Sequence, residues 1–323
     1  MPDNPIDLLV IGAGIAGLLA ARELTDKHGL RVAILDKSRG VGGRMATRRD
    51  GEATYDHGAQ FFSATNPRFK AWVDHWLEQR VVKMWFDQFS DEPPMFRYAA
   101  FPSMTAVAKK LVEGLEIHRQ TKVISAAHES GGWVLKTEVG NTFRAPKLLI
   151  NAPVPQAMEI LDAGGTQLKT DDDAFLRSIK YAKTIAAMVE LETPSHLPNP
   201  GRLKLDPPEP VAWIADNQQK GVSGLPAVTI HSGHEFAEKY FDEPDEVRVP
   251  ILVEAALPYL KAKVVSAKGH RWKFAHRLTE HNRDFFADPT LGLWMAGDSF
   301  HAPKVEGAAM SGLLAADSIA ASA

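Results

Sequence analysis

The chain has no cysteine among its 323 residues. That excludes disulfides, thiol catalysis, cysteine-ligated zinc and attachment of a prosthetic group through sulfur, and it suits a reducing compartment. A strong charge of either sign is also missing. Lys and Arg number 37 against 40 Asp and Glu, and the net charge of −3 gives nucleic acid no electrostatic footprint. No apolar run approaches the ~20 residues that a bilayer-spanning helix needs. The N-terminus leads into an apolar strand with no basic n-region and no cleavage site, so a cytoplasmic location is expected, with no membrane partner. There is no internal repeat and no low-complexity tract. At 45% hydrophobic content the chain can bury a sizeable core in one or two domains.

What is present begins at once. Ile6 to Ile11 is an apolar, strand-like run, followed directly by Gly12, Gly14 and Gly17 in the spacing G-x-G-x-x-G. A helical stretch runs from Ile15 to about Lys27, and a second apolar strand, Arg31 to Leu35, ends in Asp36, 19 residues after Gly17. Strand, glycine turn, helix, strand and acid in this order make a Rossmann-type unit for an adenine dinucleotide. Gly12 permits the tight turn, Gly14 the approach of backbone to a pyrophosphate, and Gly17 close packing of helix on strand. Ile15 and Ala16 open the helix whose free N–H groups and partial positive charge suit phosphates. Asp36, with Lys37 beside it, is placed to accept hydrogen bonds from the adenosine ribose.

That unit does not separate NAD from FAD; the next segment does. Asp36 leads into Lys37-Ser-Arg-Gly-Val-Gly-Gly-Arg44. Gly42 and Gly43 let a second loop approach the same pyrophosphate, and Arg44 offers a forked guanidinium to its oxygens. A plain NAD dehydrogenase has no need of this loop, so the expected cofactor is FAD, held non-covalently. A solvated basic loop is the alternative reading, and it is preferred for Arg48 and Arg49. At the far end, Leu291 to Asp298 is a short apolar strand ending in Gly-Asp, and Val305-Glu-Gly-Ala-Ala-Met-Ser-Gly312 opens a helix to about Ala321.

These motifs resemble those of the flavin-containing amine oxidase superfamily, and the likeness narrows to its renalase branch, the bacterial forms above all. The residues that carry it are Asp36 to Arg44, Asp56-His-Gly-Ala-Gln-Phe-Phe62, Trp213-Ile-Ala-Asp-Asn217, Val228-Thr-Ile-His231, His270-Arg-Trp272, Gly297-Asp298 and Val305-Glu-Gly307. The chain departs from that pattern at Pro102-Ser-Met104, Asp216, Gln218-Gln219 and Lys273.

The resemblance implies an α/β fold: a Rossmann-type, glutathione-reductase-like FAD-binding domain with an inserted α+β substrate domain. The expected cofactor domain is 1–65, 100–155 and 269–323; the expected substrate domain is 66–99 and 156–268. It also implies that Gly58, Ala59, Gln60 and Phe61 lie on the cofactor, a residue near Val123 on the adenine, and Asp298 on the ribityl–phosphate stretch. Val305, Glu306 and Ala308 come to the pyrimidine edge of the flavin, where a helix N-terminus stabilises the charge of the reduced ring.

The implied activity is oxidation of NAD(P)H isomers misreduced at ring position 2 or 6 to NAD(P)+, with dioxygen giving hydrogen peroxide. Phe61, Phe62, Asn217, His231, Arg271, Trp272 and Lys273 are the expected pocket residues, and no side chain is assigned the chemistry. This reading expects cations such as Arg271 or Lys273 to face an anionic substrate. The alternative, oxidation of a small primary or secondary amine, expects a neutral aromatic slot. A non-catalytic flavin-binding redox sensor is a second alternative.

Other features have plainer readings. Pro102 to Gly114 reads as a helix with Ser103 as N-cap. Pro194 to Pro210 is a proline-rich lid or edge loop. His231-x-x-His234 has no third ligand at metal spacing, so no metal is expected. Asp171 to Asp173 is an N-terminal charge cluster, and Trp72 and Trp76 pack on one helix. For Arg271 and Trp272, the simplest strand reading turns Trp inward and Arg outward.

Overall fold

The computed structural model describes residues 5–87 and 94–322. Along the chain run β1 (Leu8–Ile11), α1 (Ile15–His28), β2 (Val32–Leu35), β3 (Thr47–Asp50), β4 (Ala53–Asp56), α2 (Pro67–Glu78), β5 (Val82–Phe86), β6 (Arg97–Ala100) and α3 (Thr105–Leu111). There follow β7 (Glu116–His118), β8 (Val123–Glu129), β9 (Gly132–Thr137), β10 (Thr142–Ala145), β11 (Lys147–Ile150), α4 (Val154–Ala163) and α5 (Thr170–Ser178). The remainder is β12 (Tyr181–Leu191), β13 (Arg202–Lys204), β14 (Val211–Asp216), β15 (Ala227–Ser232), α6 (His234–Tyr240), α7 (Asp245–Leu260), β16 (Val264–Arg277), β17 (Phe286–Asp288), β18 (Leu293–Met295) and α8 (Lys304–Ala321).

The first sheet has the order β17-β18-β11-β1-β2-β7, parallel except for the β17 edge. Its strands read Leu-Leu-Val-Ile and Val-Ala-Ile-Leu because both faces are covered. On one face lie α1, α3, α8 and α2, through Leu18, Leu24, Val107, Leu313 and Trp76. On the other lie the β8–β10 sheet and α4, through Trp133, Leu135, Val154 and Leu161. Gly312 lets α8 cross α1 closely, since a Cβ there would lie 2.2 Å from the Ala16 carbonyl oxygen. The carboxyl ends of β1, β2, β11 and β18 share one rim, where α/β folds place their ligands. Gly12, Asp36, Asn151 and Ala296 follow those strands there.

A second, antiparallel sheet has the order β13-β14-β15-β12-β16. Ile185, Ala187, Val189 and Leu191 of β12 pack against Leu252, Val253 and Ala256 of α7. The intervening Met188 packs instead on Ala53 and Tyr55 of β4. One face of this sheet therefore rests on its own helices and the other on the cofactor side of the molecule.

The expected boundary at 268/269 falls inside β16, which pairs with β12 from Val264 to Arg277, so the strand is not divided there. Within the expected substrate segment 66–99, residues 88–93 lie outside the described residues. Phe69, Val73, Trp76, Val82, Tyr98 and Ala99 share the apolar cluster of α1 and α8. The expectation for α3 needs correction. It spans only Thr105–Leu111, and Ser103 does not cap it. The first turn is instead satisfied from a distance: Met104 N–H donates to Asp56 Oδ1 (2.9 Å) and Thr105 N–H to Thr47 Oγ1 (3.3 Å).

Candidate functional site

Two glycine turns meet at the strand rim. Gly12, at φ +101°, turns the chain out of β1, and its N–H donates to Leu35 O at 2.8 Å. Gly42 N–H donates to Ala13 O at 2.8 Å, and a Cβ on Gly43 would lie 3.6 Å from the Gly14 Cα. A Cβ on Gly17 would lie 2.6 Å from Gly12 O, so Gly17 carries the close helix–strand packing. A Cβ on Gly14 would meet Asn151 Nδ2 at 2.8 Å. The turns thus form one backbone cradle. Over it stands the N-terminus of α1, which has no side-chain cap and no acid in its first turn. Ile15 and Ala16 are buried, and their backbone opens the helix. This donor set fits a pyrophosphate.

Asp36 holds the cradle's outer edge. Its Oδ2 accepts from Ala13 N and its Oδ1 from Ser38 N, both at 2.7 Å. Each oxygen keeps a lone pair for a ribose hydroxyl. Lys37 is exposed, with Nζ 3.4 Å from Gln156 Oε1. Thr121 N–H donates to Asp36 O, which brings the start of β8 and the buried Val123 to the same edge.

Arg44 and Asp298 were separate expectations; the fold joins them. Arg44 Nη1 and Nη2 clasp the two Asp298 oxygens at 2.5 Å each, and Nη1 also donates to Phe274 O at 3.1 Å. The Asp298 side chain is 7% exposed. The loop that follows β4 packs on this pair: Ala59 N–H donates to Arg44 O at 2.8 Å.

Several expected contacts are committed elsewhere. The Glu306 carboxylate accepts from Thr65 N, Asn66 N (2.7 Å) and Ser63 Oγ (3.0 Å), which leaves only its backbone for a cofactor at the α8 N-terminus. Gly307 clears the Ala302 carbonyl, which a Cβ would meet at 1.8 Å, so its smallness serves the 298–303 turn. Val305 and Ala308 are 8% exposed. The Gln60 amide donates to Asp56 O and to Gly58 O (3.1 Å). Phe62 does not line a pocket: it is 3% exposed and packs on Phe69 and Tyr98. Asn217 is fully buried between Asp56 N (3.1 Å) and Thr229 Oγ1 (3.0 Å), where it shapes the loop.

Strand alternation separates the expected Arg271, Trp272 and Lys273 trio. The registers Thr184↔Trp272, Ala186↔His270, Ala186↔His231 and His231↔Trp213 place those rings on the cofactor side. Ile185↔Arg271 places Arg271 on the helix side, where its Nη1 lies 3.3 Å from Phe241 O. There Arg271 and Lys273 line an open pocket of about 530 Å³ with Lys183, Phe241 and Asp242. These cations therefore do not share a surface with Trp272.

On the cofactor side, Trp272 Nε1 and His231 Nε2 reach His57 O at 2.9 and 3.1 Å, and the Trp272 ring stacks on His57 with centroids 5.3 Å apart. His270 meets Trp272 at 4.3 Å, and Phe61 meets Trp213 at 5.4 Å. Sequence reasoning set His270 and Trp213 in motifs but gave them no site role, and it missed Asn151; period-2 alternation along β14 and β16 marks the first two. Burial, reinforced by His270 and His231, pushes His57 down to about 3, and burial pushes His231 down to about 4; burial also lowers His270. These imidazoles are neutral at neutral pH, and the Arg48 guanidinium acts on both His57 and His270.

A consequence follows for stability. These histidines bind fewer protons folded than unfolded, so their contribution is full above the ordinary value near 6.5 and is lost as pH falls toward 4. Thermal melts should show stability dropping by roughly 5 kcal/mol between those limits, about half of it from each of His57 and His231, and His57→Phe should flatten the profile. An unchanged slope in His57→Phe would contradict the neutral buried assignment.

Known proteins resemble this chain in two ways. Residues 10–76 match the NAD(P)-binding Rossmann-like domain, and residues 82–320 match the flavin containing amine oxidoreductase family. A Mycobacterium tuberculosis protein, AofH, named as a flavin-containing monoamine oxidase, is 42% identical over 64 residues, 20% of this chain and 14% of that protein. The chain thus matches only a small part of that relative. Among solved structures, putrescine oxidase bound to putrescine superposes with a TM-score of 0.77 at 15% identity, covering 98% of this chain and 99% of that one. An Exiguobacterium protein named as a protoporphyrinogen oxidase gives 0.75 at 12% identity, covering 99% and 100%. These two likenesses show the fold alone. The match over 82–320 takes in well over half of the chain, which therefore belongs to the flavin-containing amine oxidoreductase family, with FAD as its cofactor.

Proposed function

We propose that the protein oxidises a donor whose reacting ring is flat and uncharged, the dihydronicotinamide of an NAD(P)H isomer misreduced at ring position 2 or 6. The observation that supports this reading is the Trp272 indole beside the cofactor loop, flanked by His57, His270 and His231, which offers a platform for a flat ring; the cations expected to face an anionic substrate lie across the sheet. Asp56, the carboxylate behind it, is bound to Lys220, Thr47 and Met104. Among the described residues an ammonium group has no carboxylate free to face it there, whereas a dihydropyridine ring can stack on an indole and offer its carboxamide to neutral imidazoles.

Bound FAD supplies a two-electron acceptor that passes electrons to dioxygen. The chain's own work is positioning and exclusion of water. The cradle of Gly12, Gly14, Gly17 and Gly43, with Asp36, fits the dinucleotide; Arg44 and Asp298 lock the loops around it. The donor ring's nitrogen lone pair expels the hydride, so no side chain needs to remove a proton. Arg271 and Lys273 no longer serve as substrate contacts in this reading, because they lie across the sheet from Trp272.

A small amine is the second reading, and the structure meets its expectation: the slot is aromatic, the expected cations lie across the sheet, and an amine is oxidised as the free base, which such a slot holds. Turnover decides between them. Misreduced dihydronicotinamide dinucleotides should be consumed with one hydrogen peroxide formed per ring, and primary amines should give none. Peroxide from amines alone would transfer the assignment to the second reading.

A further inference from the structure

A buried lysine lies behind the cofactor loop. Lys220 and Asp56 both have side chains 0% exposed, with Nζ 2.9 Å from Asp56 Oδ2. Lys220 Nζ also approaches Gln60 Oε1 at 3.5 Å and stands 4.8 Å above the Trp85 ring. Its three N–H bonds therefore have three partners. Asp56 Oδ1 accepts from Thr47 Oγ1 at 2.6 Å and from Met104 N at 2.9 Å. One carboxylate thus joins β3, the start of α3 and the turn after β14.

The loop it anchors, 56–61, carries Gly58 and Ala59 on one side and Phe61 on the other. Its carbonyls are held by side chains. Asp56 O accepts from Thr229 Oγ1 (2.9 Å), and His57 O from Trp272 and His231. Lys220 is itself fixed in a turn whose N–H groups at Gln218 and Gln219 donate to Asp216 Oδ1 at 2.8 and 2.9 Å.

We propose that Lys220 is a positioning residue for the flavin site: its charge, locked to Asp56 and Gln60, sets the shape of the 56–61 loop against FAD and ties the second sheet to the cofactor side. This holds whichever donor is oxidised. A fully buried ion pair is an expensive device where an apolar pair would pack as well, and its retention here coincides with a loop that has few backbone partners of its own. The other titratable groups that face it are Lys83, whose Nζ donates to Lys220 O at 2.6 Å, and His231, held neutral by burial. Burial pulls the Lys220 ammonium below its ordinary value, and Asp56 opposes that shift.

The test uses Lys220→Met, which keeps volume and removes charge, with Asp56→Asn/Lys220→Met as its partner. In the single variant Asp56 is left buried and unpaired, so its folded value rises and the folded state weakens as pH increases. FAD affinity at about pH 8 should fall about 100-fold and recover at least tenfold at about pH 5.5. The double variant should regain most of the loss at the higher pH, and the absorption spectrum of its bound flavin should match the parent's. If the single variant fails to fold, the double variant decides by the same two readouts. Affinity in Lys220→Met within about threefold of the parent at both pH values overturns the proposal, as does a folded double variant no better than the single.

Discussion

Arg44→Met protein will be recovered almost free of flavin, with FAD affinity lowered about 100-fold. The substitution removes the clasp on both oxygens of Asp298, whose side chain is 7% exposed. Removing one member of a buried, hydrogen-bonded pair leaves the other uncompensated, at a cost of about 3–5 kcal/mol. Arg44 itself is 31% exposed, which draws the expectation to the lower end. About 3 kcal/mol is roughly two powers of ten in affinity. The loss spreads beyond the pair, because Arg44 O anchors Ala59 and its guanidinium holds the end of β16 through Phe274 O. Arg48 is exposed, and Arg48→Ala should leave the flavin-to-protein ratio unchanged. Equal losses in the two variants would show that the Arg44–Asp298 pair does not organise the site.

Gly58→Ala should be comparably severe by a different route. A Cβ at this position would lie 2.0 Å from the Arg44 carbonyl oxygen and 3.3 Å from the Trp272 ring. The first neighbour is backbone and cannot rotate away, so the loop must lift from Arg44. Overpacking of this kind costs ~1–3 kcal/mol, and a backbone clash belongs at the top of that range. The expected result is FAD affinity down about 100-fold with a lowered melting temperature. Gly131→Ala, with open space around its Cβ, is the matched control and should melt with the parent. Full flavin occupancy in Gly58→Ala would contradict the packing of this loop on Arg44.

The parts of the site legible in the sequence are those made by neighbours in the chain. The run from Ile6 through Gly12, Gly14 and Gly17 to Asp36 declares strand, turn, helix and strand, because apolar period and glycine position act locally. The helix from Val305 and the short strand ahead of Gly297-Asp298 were legible for the same reason. What escaped is pairing at a distance. Asp298 is joined to Arg44, 254 residues away, and Lys220 to Asp56, 164 away, and no local signal marks either pair. The α3 cap misled for this reason too: Ser103 has the favoured side chain, but Asp56 and Thr47 arrive from elsewhere to do its work. Phe62 and Asn217 sit in motifs that touch the site, yet their side chains are turned into the interior. The separation of Arg271 and Lys273 from Trp272 was accessible, since residues one apart in a strand face opposite sides. Of the two readings of the triplet, the strand reading that turns Trp272 and Arg271 to opposite sides describes the structure, and the pocket reading that grouped all three does not.

The most direct measurement is anaerobic titration of the FAD-loaded protein with the 2- and 6-dihydro isomers of NADH and NADPH and with primary and secondary amines, following flavin absorbance. Stacking of a dihydropyridine ring on the Trp272 indole predicts bleaching by the misreduced isomers within seconds, at one equivalent per flavin, with no response to amines. Bleaching by an amine and by neither isomer, or by no donor at all, would contradict it.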